Sequence, residues 1–558
     1  MEVLSMNCPK CNAPITDDSA FCPECGAKVE VPVEAPEATV APAAFCPECG
    51  APMAADAAFC ENCGAKTVEA VEAAPAEKKP AAKWLKLGIA AVALVAIVVL
   101  IISLFGGSKP DFALYRKGDE LMYSKLSGKP FEISDEDTYS FQMNKDGSKL
   151  FYLEDGKLMV RNVKKAKAEP QQLVKGIERY TINEDGSKVF YLKEGALRWC
   201  DLKDNGEKIE SDVSSYYVSK DGKTLFYTTS EDGKDTLYRA TMSGKKAKAE
   251  KVKSGYEISV EGITENFKTI IFTVEGEDSV DLYTMTGKKD PVKVASDAEV
   301  VGTVYDNGSF FYVAYDEDDD ENTLCFWNGK KGTEITKDIT DVADWAADAP
   351  VLVFKYVDEE SDDYEVNYFV AVKGKMSELK LEDVVDLAVK PNGKELLAIA
   401  DFDEEEETGT VYKVAIGNAA KEPKKVNGVE DAFRVEYTSD GKKTIFYAEQ
   451  ESSSFTLYVN GKKITDDVIG YFYNEESGML VYGTDVSEDG FTLWQVKGSK
   501  GKKINDDVYD MTFTPDGTLL YLCDRDGSEG DLYRTTGGEG KKIDSEVTAL
   551  LDVYYHGK

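Results

Sequence analysis

A short motif that returns about every 41 residues constrains the fold of this chain more than any other feature. Each copy contains a turn that ends in Asp-Gly and continues into a short apolar run with aromatic residues. The clearest copies are NKDGSKLFYL (144–153), NEDGSKVFYL (183–192), SKDGKTLFYT (219–228), TSDGKKTIFYA (438–448) and TPDGTLLYLC (514–523). A fixed period of this length predicts a repeat architecture.

Other segments recur at the same period. Weaker copies of the turn are TENFKTIIFT (264–273), YDNGSFFYV (305–313), ADAPVLVFK (347–355), KPNGKELLAIA (390–400) and EESGMLVYG (475–483). A second strand such as DLYTMT follows each apolar run, and GKKITDDV (461–468), GKKINDDV (501–508) and GKKIDSEV (540–547) recur as a third. A fourth apolar stretch precedes the next turn. Four short strands per unit are the pattern of a β-propeller blade.

We therefore predict a mainly β fold, with about ten or eleven four-stranded units over residues 111–558. A degenerate unit, FALYRKGDELMYSKLSGKPFEIS, opens the region at Phe112. One large ring and two consecutive propellers both fit this number, and the usual limit of eight blades favours two. The segment TPDGTLLYL (514–522) resembles the TolB-type propeller repeat, although the other four clear copies replace its proline with Lys, Glu or Ser. The resemblance implies a propeller over most of residues 112–558.

One segment is apolar enough to cross a membrane. Residues 87–105, LGIAAVALVAIVVLIISLF, carry no charge, and a helix of this length spans about 28 Å, close to the thickness of a bilayer core. We predict a transmembrane helix over 84–105. Four lysines crowd its N-terminal side, at Lys78, Lys79, Lys83 and Lys86. The positive-inside rule then predicts a single-pass membrane protein with a cytoplasmic N-terminus and an extracytoplasmic C-terminal region.

Eight of the eleven cysteines form four Cys-x-x-Cys pairs before residue 64. The pairs are Cys8/Cys11, Cys22/Cys25, Cys46/Cys49 and Cys60/Cys63. Ten residues separate the first pair from the second and the third from the fourth, whereas twenty separate the middle two. The pairs therefore join as one–two and three–four, and each set offers four thiolates to one metal ion.

These sites are predicted to hold two structural Zn²⁺ ions, because four thiolates close the tetrahedral shell and leave no open position for water. Iron with the same ligands is the alternative. The CPxCG knuckles resemble the tandem zinc ribbons of bacterial membrane proteins. The resemblance implies a protein of the bacterial cell membrane whose ribbons act in binding or scaffolding. We place the ribbons at 6–28 and 44–66. The segments 29–43 and 67–83 are rich in Ala, Pro, Glu and Val and are predicted to be disordered linkers.

The chain is acidic, with a formal charge of −37 from 66 basic and 103 acidic residues. This balance excludes a nucleic-acid binder, which needs clustered Lys and Arg. Runs of acid occur at DEDDDEN (316–322), DEESDDYE (358–365), DFDEEEE (401–407) and DRDGSEGD (524–531). Each lies in the link after the apolar run of a unit, so we expect all four at one face. Calcium at such turns, for example at Asp524, Asp526 and Asp531, is one interpretation, and solvated turns are the other.

No catalytic or cofactor-binding residue stands out, and we expect no enzyme. The one histidine, His556, is two residues from the C-terminus, where a frayed tail is expected. Cys200, Cys325 and Cys523 are predicted to be buried as small hydrophobic residues.

The leading functional interpretation is a sensor or scaffold whose propeller binds a protein, peptide or cell-envelope ligand, while the ribbons bind a cytosolic protein partner. The alternative is a carboxylate-dependent hydrolase or lyase that acts on the envelope.

Overall fold

The computed structural model describes residues 109–557 except 204–206, 317–320, 358–365, 404–407 and 452, together with the backbone of four short N-terminal strands. The chain divides into two compact units, Met1–Ser103 and Leu104–Lys558. Within the described ranges no helix has the length and apolarity that a membrane crossing requires. The predicted membrane segment 84–105 and the predicted linkers 29–43 and 67–83 lie outside those ranges.

The first unit contains two equivalent hairpins. Strand β1 (Ser5–Asn7) pairs antiparallel with β2 (Pro14–Thr16), and β3 (Ala44–Phe45) pairs antiparallel with β4 (Pro52–Met53). Each hairpin encloses the first Cys-x-x-Cys pair of a predicted ribbon.

The second unit is an eleven-bladed β-propeller. Most blades are four-stranded antiparallel meanders whose strands follow one another in sequence. Blades 1 to 4 contain β5 (Phe112–Lys117), β6 (Glu120–Lys125), β7 (Phe131–Ser134); β8 (Thr138–Met143), β9 (Lys149–Glu154), β10 (Lys157–Asn162), β11 (Gln171–Lys175); β12 (Arg179–Ile182), β13 (Lys188–Lys193), β14 (Ala196–Asp201), β15 (Glu207–Glu210); and β16 (Val213–Val218), β17 (Thr224–Glu231), β18 (Lys234–Ser243), β19 (Lys246–Gly255).

The next four blades repeat this arrangement. Blades 5 to 8 contain β20 (Ile258–Ile263), β21 (Thr269–Glu275), β22 (Val280–Thr286), β23 (Val292–Ser296); β24 (Ala298–Val301), β25 (Phe310–Asp316), β26 (Glu321–Trp327), β27 (Gly332–Lys337); β28 (Asp341–Trp345), β29 (Val351–Val357), β30 (Val366–Val372), β31 (Lys375–Glu378); and β32 (Asp386–Val389), β33 (Glu395–Asp403), β34 (Thr408–Ala415), β35 (Lys424–Lys425).

The last three blades lead to two short C-terminal strands. Blades 9 to 11 contain β36 (Ala432–Tyr437), β37 (Thr444–Glu451), β38 (Ser454–Val459), β39 (Lys462–Val468); β40 (Gly470–Asn474), β41 (Met479–Thr484), β42 (Phe491–Lys497), β43 (Lys500–Val508); and β44 (Asp510–Phe513), β45 (Leu519–Asp526), β46 (Glu529–Thr535), β47 (Lys541–Val547). The chain ends with β48 (Ala549–Leu550) and β49 (Tyr554–Tyr555).

The C-terminus closes the ring. Strand β48 pairs antiparallel with β5 and so supplies the missing first strand of blade 1. Strand β49 then runs parallel to β8 along the free edge of blade 2. The degenerate unit predicted at Phe112 is therefore completed by the other end of the chain.

Eleven apolar clusters hold the blades together, one at each boundary between neighbours. For example, Leu150 and Tyr152 of blade 2 pack with Leu114 of blade 1. The last cluster joins Leu520 and Val547 of blade 11 to Tyr115 of blade 1. The other nine occupy the consecutive boundaries in between. The expectation of two consecutive propellers is therefore wrong, because the clusters run from blade to blade in sequence order and blade 11 packs on blade 1.

The second strand of each blade is covered on both faces, which explains why the repeat contains a continuous apolar run. Residues Leu150–Leu153 of β9 are all buried, and so is every residue of β41. Cys200, Cys325 and Cys523 are free thiols buried in the clusters between blades. The prediction that they pack as small hydrophobic residues is confirmed.

Candidate functional site

The described strands flank the first cysteine pair of each predicted ribbon in the same way. Cys8 directly follows β1 and Cys46 directly follows β3, while β2 and β4 each begin three residues after the second cysteine of the pair. Two paired strands that are six residues apart in sequence suit a knuckle whose two thiolates approach one ion. The four thiolates of each predicted set fit zinc by their chemistry. The eight cysteines themselves lie outside the described residues.

The Asp-Gly turns of the repeat have a structural role. In blade 2 the Asn144 side-chain oxygen accepts hydrogen bonds from the backbone N–H groups of Ser148 and Lys149, at 3.0 and 2.8 Å. Asp146 accepts a bond from the Ser148 N–H at 3.0 Å, and Gly147 has a φ of 64°. The same pattern returns at Asp185, Asp221, Asp440 and Asp516.

The first strand of each blade lies nearest the central channel of a propeller; we call it the inner strand. A carboxylate on one inner strand often bonds to the next. Asp344 accepts a hydrogen bond from the Val389 N–H at 2.6 Å, and Asp386 accepts one from the Val435 N–H at 2.7 Å. These side chains satisfy backbone donors that a free strand edge leaves unpaired. Burial raises the pKa of Asp344, of Asp386 and of Asp510 on the inner strand β44.

His556 is held against blade 2, and the expectation of a frayed tail is wrong. Its backbone N–H donates to the Met143 carbonyl at 3.0 Å, and its Nε2 lies 2.9 Å from Oε1 of Gln142. Tyr555 is 6% exposed and donates to the Lys145 carbonyl. Burial lowers the pKa of His556 to about 4. The tail is ordered because it adds a strand to an open sheet edge and fills the cluster between blades 1 and 2.

Most exposed aromatic side chains in the described part of the chain lie near the channel or at one end of the ring. Five are on inner strands or β49: Tyr139, Tyr217, Trp345, Phe472 and Tyr554. The other three, Tyr256, Tyr315 and Tyr356, are in or beside links between the second and third strands or between blades. The remaining described tyrosines are buried or half-buried packing residues, such as Tyr152 and Tyr521.

The antiparallel meander sorts its links into two sets at opposite ends of the ring. The links between first and second strands and between third and fourth strands lie at one end, which we call the entry face because the chain enters there at Phe112. The remaining links lie at the other end, which we call the acidic face. All four acid runs span the junction between the second and third strands of a blade, so the prediction that they share a face is confirmed.

Charge is divided unequally between the two ends. Among the described link residues, the acidic face has twenty-one Asp or Glu and one lysine, Lys380. The entry face has fifteen Asp or Glu and twenty lysines. Strands of about six residues separate the ends by about 20 Å, beyond the screening length at physiological salt. The sequence contained this signal, since the links separate by charge once the four-strand period is assigned.

The predicted calcium loop does not gather its ligands. Asp531 forms an ion pair with Lys542, and the Cys523 thiol donates to Asp524 at 3.4 Å. No group of three or more metal-binding side chains occurs among the residues that the structure describes. Most residues of the other three acid runs lie outside the described ranges.

The comparisons with known proteins bear on the N-terminal part. Residues 8–64 match the model of the family described as "Double zinc ribbon". No curated protein matches the chain. Among solved structures, a eukaryotic initiation factor has 9% identity and a TM-score of 0.40, with 80% of this chain and 98% of that chain covered. The tricorn protease has 11% identity and a TM-score of 0.25, with 79% and 59% covered.

At these TM-scores, neither solved structure bears on the function of this chain. The TolB-type resemblance stays a prediction. What the family model and the fold establish together is a double zinc ribbon at residues 8–64 and an eleven-bladed β-propeller from Phe112 onwards.

Proposed function

We propose that this chain is a single-pass membrane protein whose propeller binds a protein or peptide ligand outside the cell. The observation that carries the proposal is the acidic face, which collects negative charge at one end of the ring together with four exposed aromatic side chains, Tyr139, Tyr256, Tyr315 and Tyr356. Complementary charge steers association and fixes the orientation of a partner. The chemistry of this face favours a ligand that presents Lys or Arg.

One part of the acidic face illustrates the arrangement. The link from β7 to β8 contains Asp135, Glu136 and Asp137, and all three residues are exposed. Tyr139 follows two residues later and is 47% exposed. An aromatic ring beside three carboxylates suits a basic side chain, which can pair with the acids and rest on the ring face.

The zinc ribbons would dock a cytosolic partner. Eight thiolates, four per ion, would hold two Zn²⁺ ions, with Cys8, Cys11, Cys22 and Cys25 on one and Cys46, Cys49, Cys60 and Cys63 on the other. Such an ion fixes the fold of a segment too short to have a core of its own. In this proposal the ribbons present a binding surface in the cytosol, and the propeller presents a second binding surface outside the cell.

Cross-linking in intact cells tests the ligand surface. Full-length protein is captured from cross-linked membranes as the wild type and as two matched variants. The variant Asp135→Asn/Glu136→Gln/Asp137→Asn lowers charge on the acidic face, and Lys330→Gln/Lys331→Gln changes the entry face. We expect one defined protein adduct that the acidic-face variant loses and the lysine variant keeps. Equal recovery of the adduct from all three proteins would contradict the proposal.

A carboxylate-dependent hydrolase or lyase is the second candidate. The raised pKa values of Asp344 and Asp386 favour it, because perturbed carboxyl groups cluster at catalytic sites. Turnover of cell-wall polysaccharide or peptide that Asp344→Asn abolishes would support an enzyme. Absence of turnover, with the adduct present, would support the binding protein.

A further inference from the structure

A cavity of about 810 Å³ opens on the entry face between blades 1 and 2. Five lysines and two aspartates line it, so its charge is opposite to that of the chain as a whole. The lysines are Lys109, Lys125, Lys129, Lys145 and Lys164. The half-buried Phe131 adds apolar surface to the same cavity and packs on the buried Tyr123 and Val163. A cavity with both characters suits an amphipathic anion rather than a small inorganic ion alone.

Two of the lysines make no ion pair with any described residue. Lys125 and Lys129 are exposed and lack such a partner, whereas Lys145 pairs with Glu184 at 3.0 Å and Lys164 with Asp146 at 3.3 Å. Lys109 pairs with Glu476 at 2.6 Å. The cavity therefore keeps uncompensated positive charge, which an anion would neutralise.

Arg161 fixes the two walls of the cavity. It is 8% exposed, and its Nη1 donates to the carbonyls of Glu132 and Ile133 on β7 at 2.6 and 2.8 Å. Its Nη2 donates to Ala166 in the link of blade 2 at 3.1 Å, and its guanidinium lies 5.2 Å from the centre of the Phe131 ring. Because these bonds already hold the walls, a ligand would bind without the cost of ordering them.

The cavity lies where the chain enters the propeller. Lys109 and Pro110 are part of its lining and closely precede β5. The apolar segment ends at Phe105, and the four residue steps from there to Lys109 reach at most about 14 Å. If residues 84–105 span the bilayer, as the proposed function requires, the entry face cannot lie far from the lipid headgroups.

We propose that this lysine-lined cavity binds the headgroup of an anionic phospholipid and seats the entry face of the propeller on the membrane. The lysines would contact the phosphate, and Phe131 would contact the glycerol backbone. The acidic face would then point away from the bilayer and stay free for its ligand. This inference rests on the proposed membrane anchorage.

Fluorescence quenching in nanodiscs tests the proposal on the full-length chain. A genetically encoded fluorescent amino acid replaces Ser127, beside the cavity, or Ser487, on the acidic face. The discs contain phosphatidylcholine with or without phosphatidylglycerol, and a headgroup-attached quencher reports proximity to lipid. We expect quenching at position 127 that depends on phosphatidylglycerol, and none at position 487.

Matched variants assign the effect to the cavity. Lys125→Gln/Lys129→Gln/Lys164→Gln should reduce the quenching at position 127 by at least about threefold, and Lys330→Gln/Lys331→Gln on the same face should leave it unchanged. Millimolar inorganic phosphate should not relieve it. The proposal would be overturned if the triple variant left the quenching at position 127 unchanged. It would also be overturned if quenching were stronger at position 487, or if free phosphate abolished it. A chain that fails to incorporate into discs would instead refute the membrane anchorage itself.

Discussion

At the scale of single residues, carboxyl groups of this propeller fall into two classes with opposite pKa shifts. Burial raises the pKa of Asp386 on an inner strand. Burial by itself would also raise the pKa of Asp440, which lies in an Asp-Gly turn. Hydrogen bonds from Lys442, Tyr473 and Thr438 outweigh this effect and hold the pKa of Asp440 well below its usual range. The first class opposes folding when ionised, and the second supports it.

Asp386→Asn should therefore stabilise the propeller at neutral pH. A carboxyl with a raised folded-state pKa contributes stability below its unfolded pKa and loses it as the pH rises through the folded value. The amide oxygen of Asn can still accept the Val435 N–H without a buried charge. We expect a gain of up to about 1 kcal/mol at pH 7.5 that disappears near pH 4. Urea denaturation at both pH values measures it.

Asp440→Asn provides the control of opposite sign. Its lowered pKa means that the ionised form contributes stability at neutral pH, and this contribution is lost as the pH falls through the folded value. The variant should be less stable than the wild type at pH 7.5, and the two should converge in acid. An Asp386 variant that follows the same trend as Asp440→Asn would show that burial is not the dominant cause of the inner-strand shift.

At the same scale, metal content tests the ribbons. Cys22→Ser plus Cys25→Ser removes two thiolates from one predicted site and leaves the other intact. The wild type should contain two zinc ions per chain and the double variant one, measured by elemental analysis of purified protein. Equal zinc content in both proteins would refute the pairing of the first two cysteine pairs.

At the scale of elements, the glycine of the Asp-Gly turn has two separate constraints. Gly186 has a φ of 61°, and a Cβ there would lie 2.9 Å from the Asn144 Cβ and 3.1 Å from Phe151. Gly195, in another turn of the same blade, has a φ of 69°, and a Cβ there would meet nothing within 4 Å. The first glycine is thus required by both backbone and packing, and the second only by the backbone.

Alanine substitution separates these constraints. Gly195→Ala should cost about 1 kcal/mol, because an L-residue is strained in the left-handed region. Gly186→Ala should cost about 1–3 kcal/mol more, because the blade 2 turn must shift to make room. Thermal or urea denaturation of both variants gives the difference. Equal losses of stability in the two variants would mean that the blade 2 side chains move away from the new Cβ at position 186 without a measurable cost.

The elements also show how far the sequence could predict this fold. The Asp-Gly turn, the apolar second strand and the GKK strand each depend on local chemistry, so the unit and its four strands were predictable. The closure of the ring was not, because it depends on the angle between packed blades. Nor was the order of the tail, since the side chains of Tyr555 and His556 form hydrogen bonds to residues more than 400 positions away.

The candidate site was predictable in part. The match of residues 8–64 to the double zinc ribbon family agrees with the cysteine spacing, while the assignment of individual zinc ligands stays a prediction. The shared face of the acid runs follows from the strand period. The lysine cavity could not be predicted from the sequence, because Lys109, Lys129 and Lys164 belong to three separate segments that meet only at the boundary of blades 1 and 2. The carboxylates of the inner strands could not be predicted either, since nothing in the sequence distinguishes Asp344 from a solvated aspartate.

At the scale of the whole molecule, ring closure depends on the last ten residues. Deletion of residues 549–558 removes β48 and β49 and exposes the apolar edge of blade 1. We expect a loss of at least about 3 kcal/mol, since several buried side chains including Tyr555 lose their partners. Limited proteolysis should then cut near blade 1 first. Deletion of residues 557–558 alone is the control, and equal resistance of both proteins would refute closure by the tail.

The topology of the whole chain is tested most directly by labelling with a membrane-impermeant thiol reagent. The three cysteines of the propeller are buried, so Ser487→Cys on the acidic face would be its accessible thiol, and Ala74→Cys would report on the N-terminal side. In intact cells we predict labelling at position 487, with position 74 labelled only after permeabilisation. Labelling at position 74 in intact cells, or protection of position 487, would contradict a propeller that faces outward from a membrane-anchored ribbon domain.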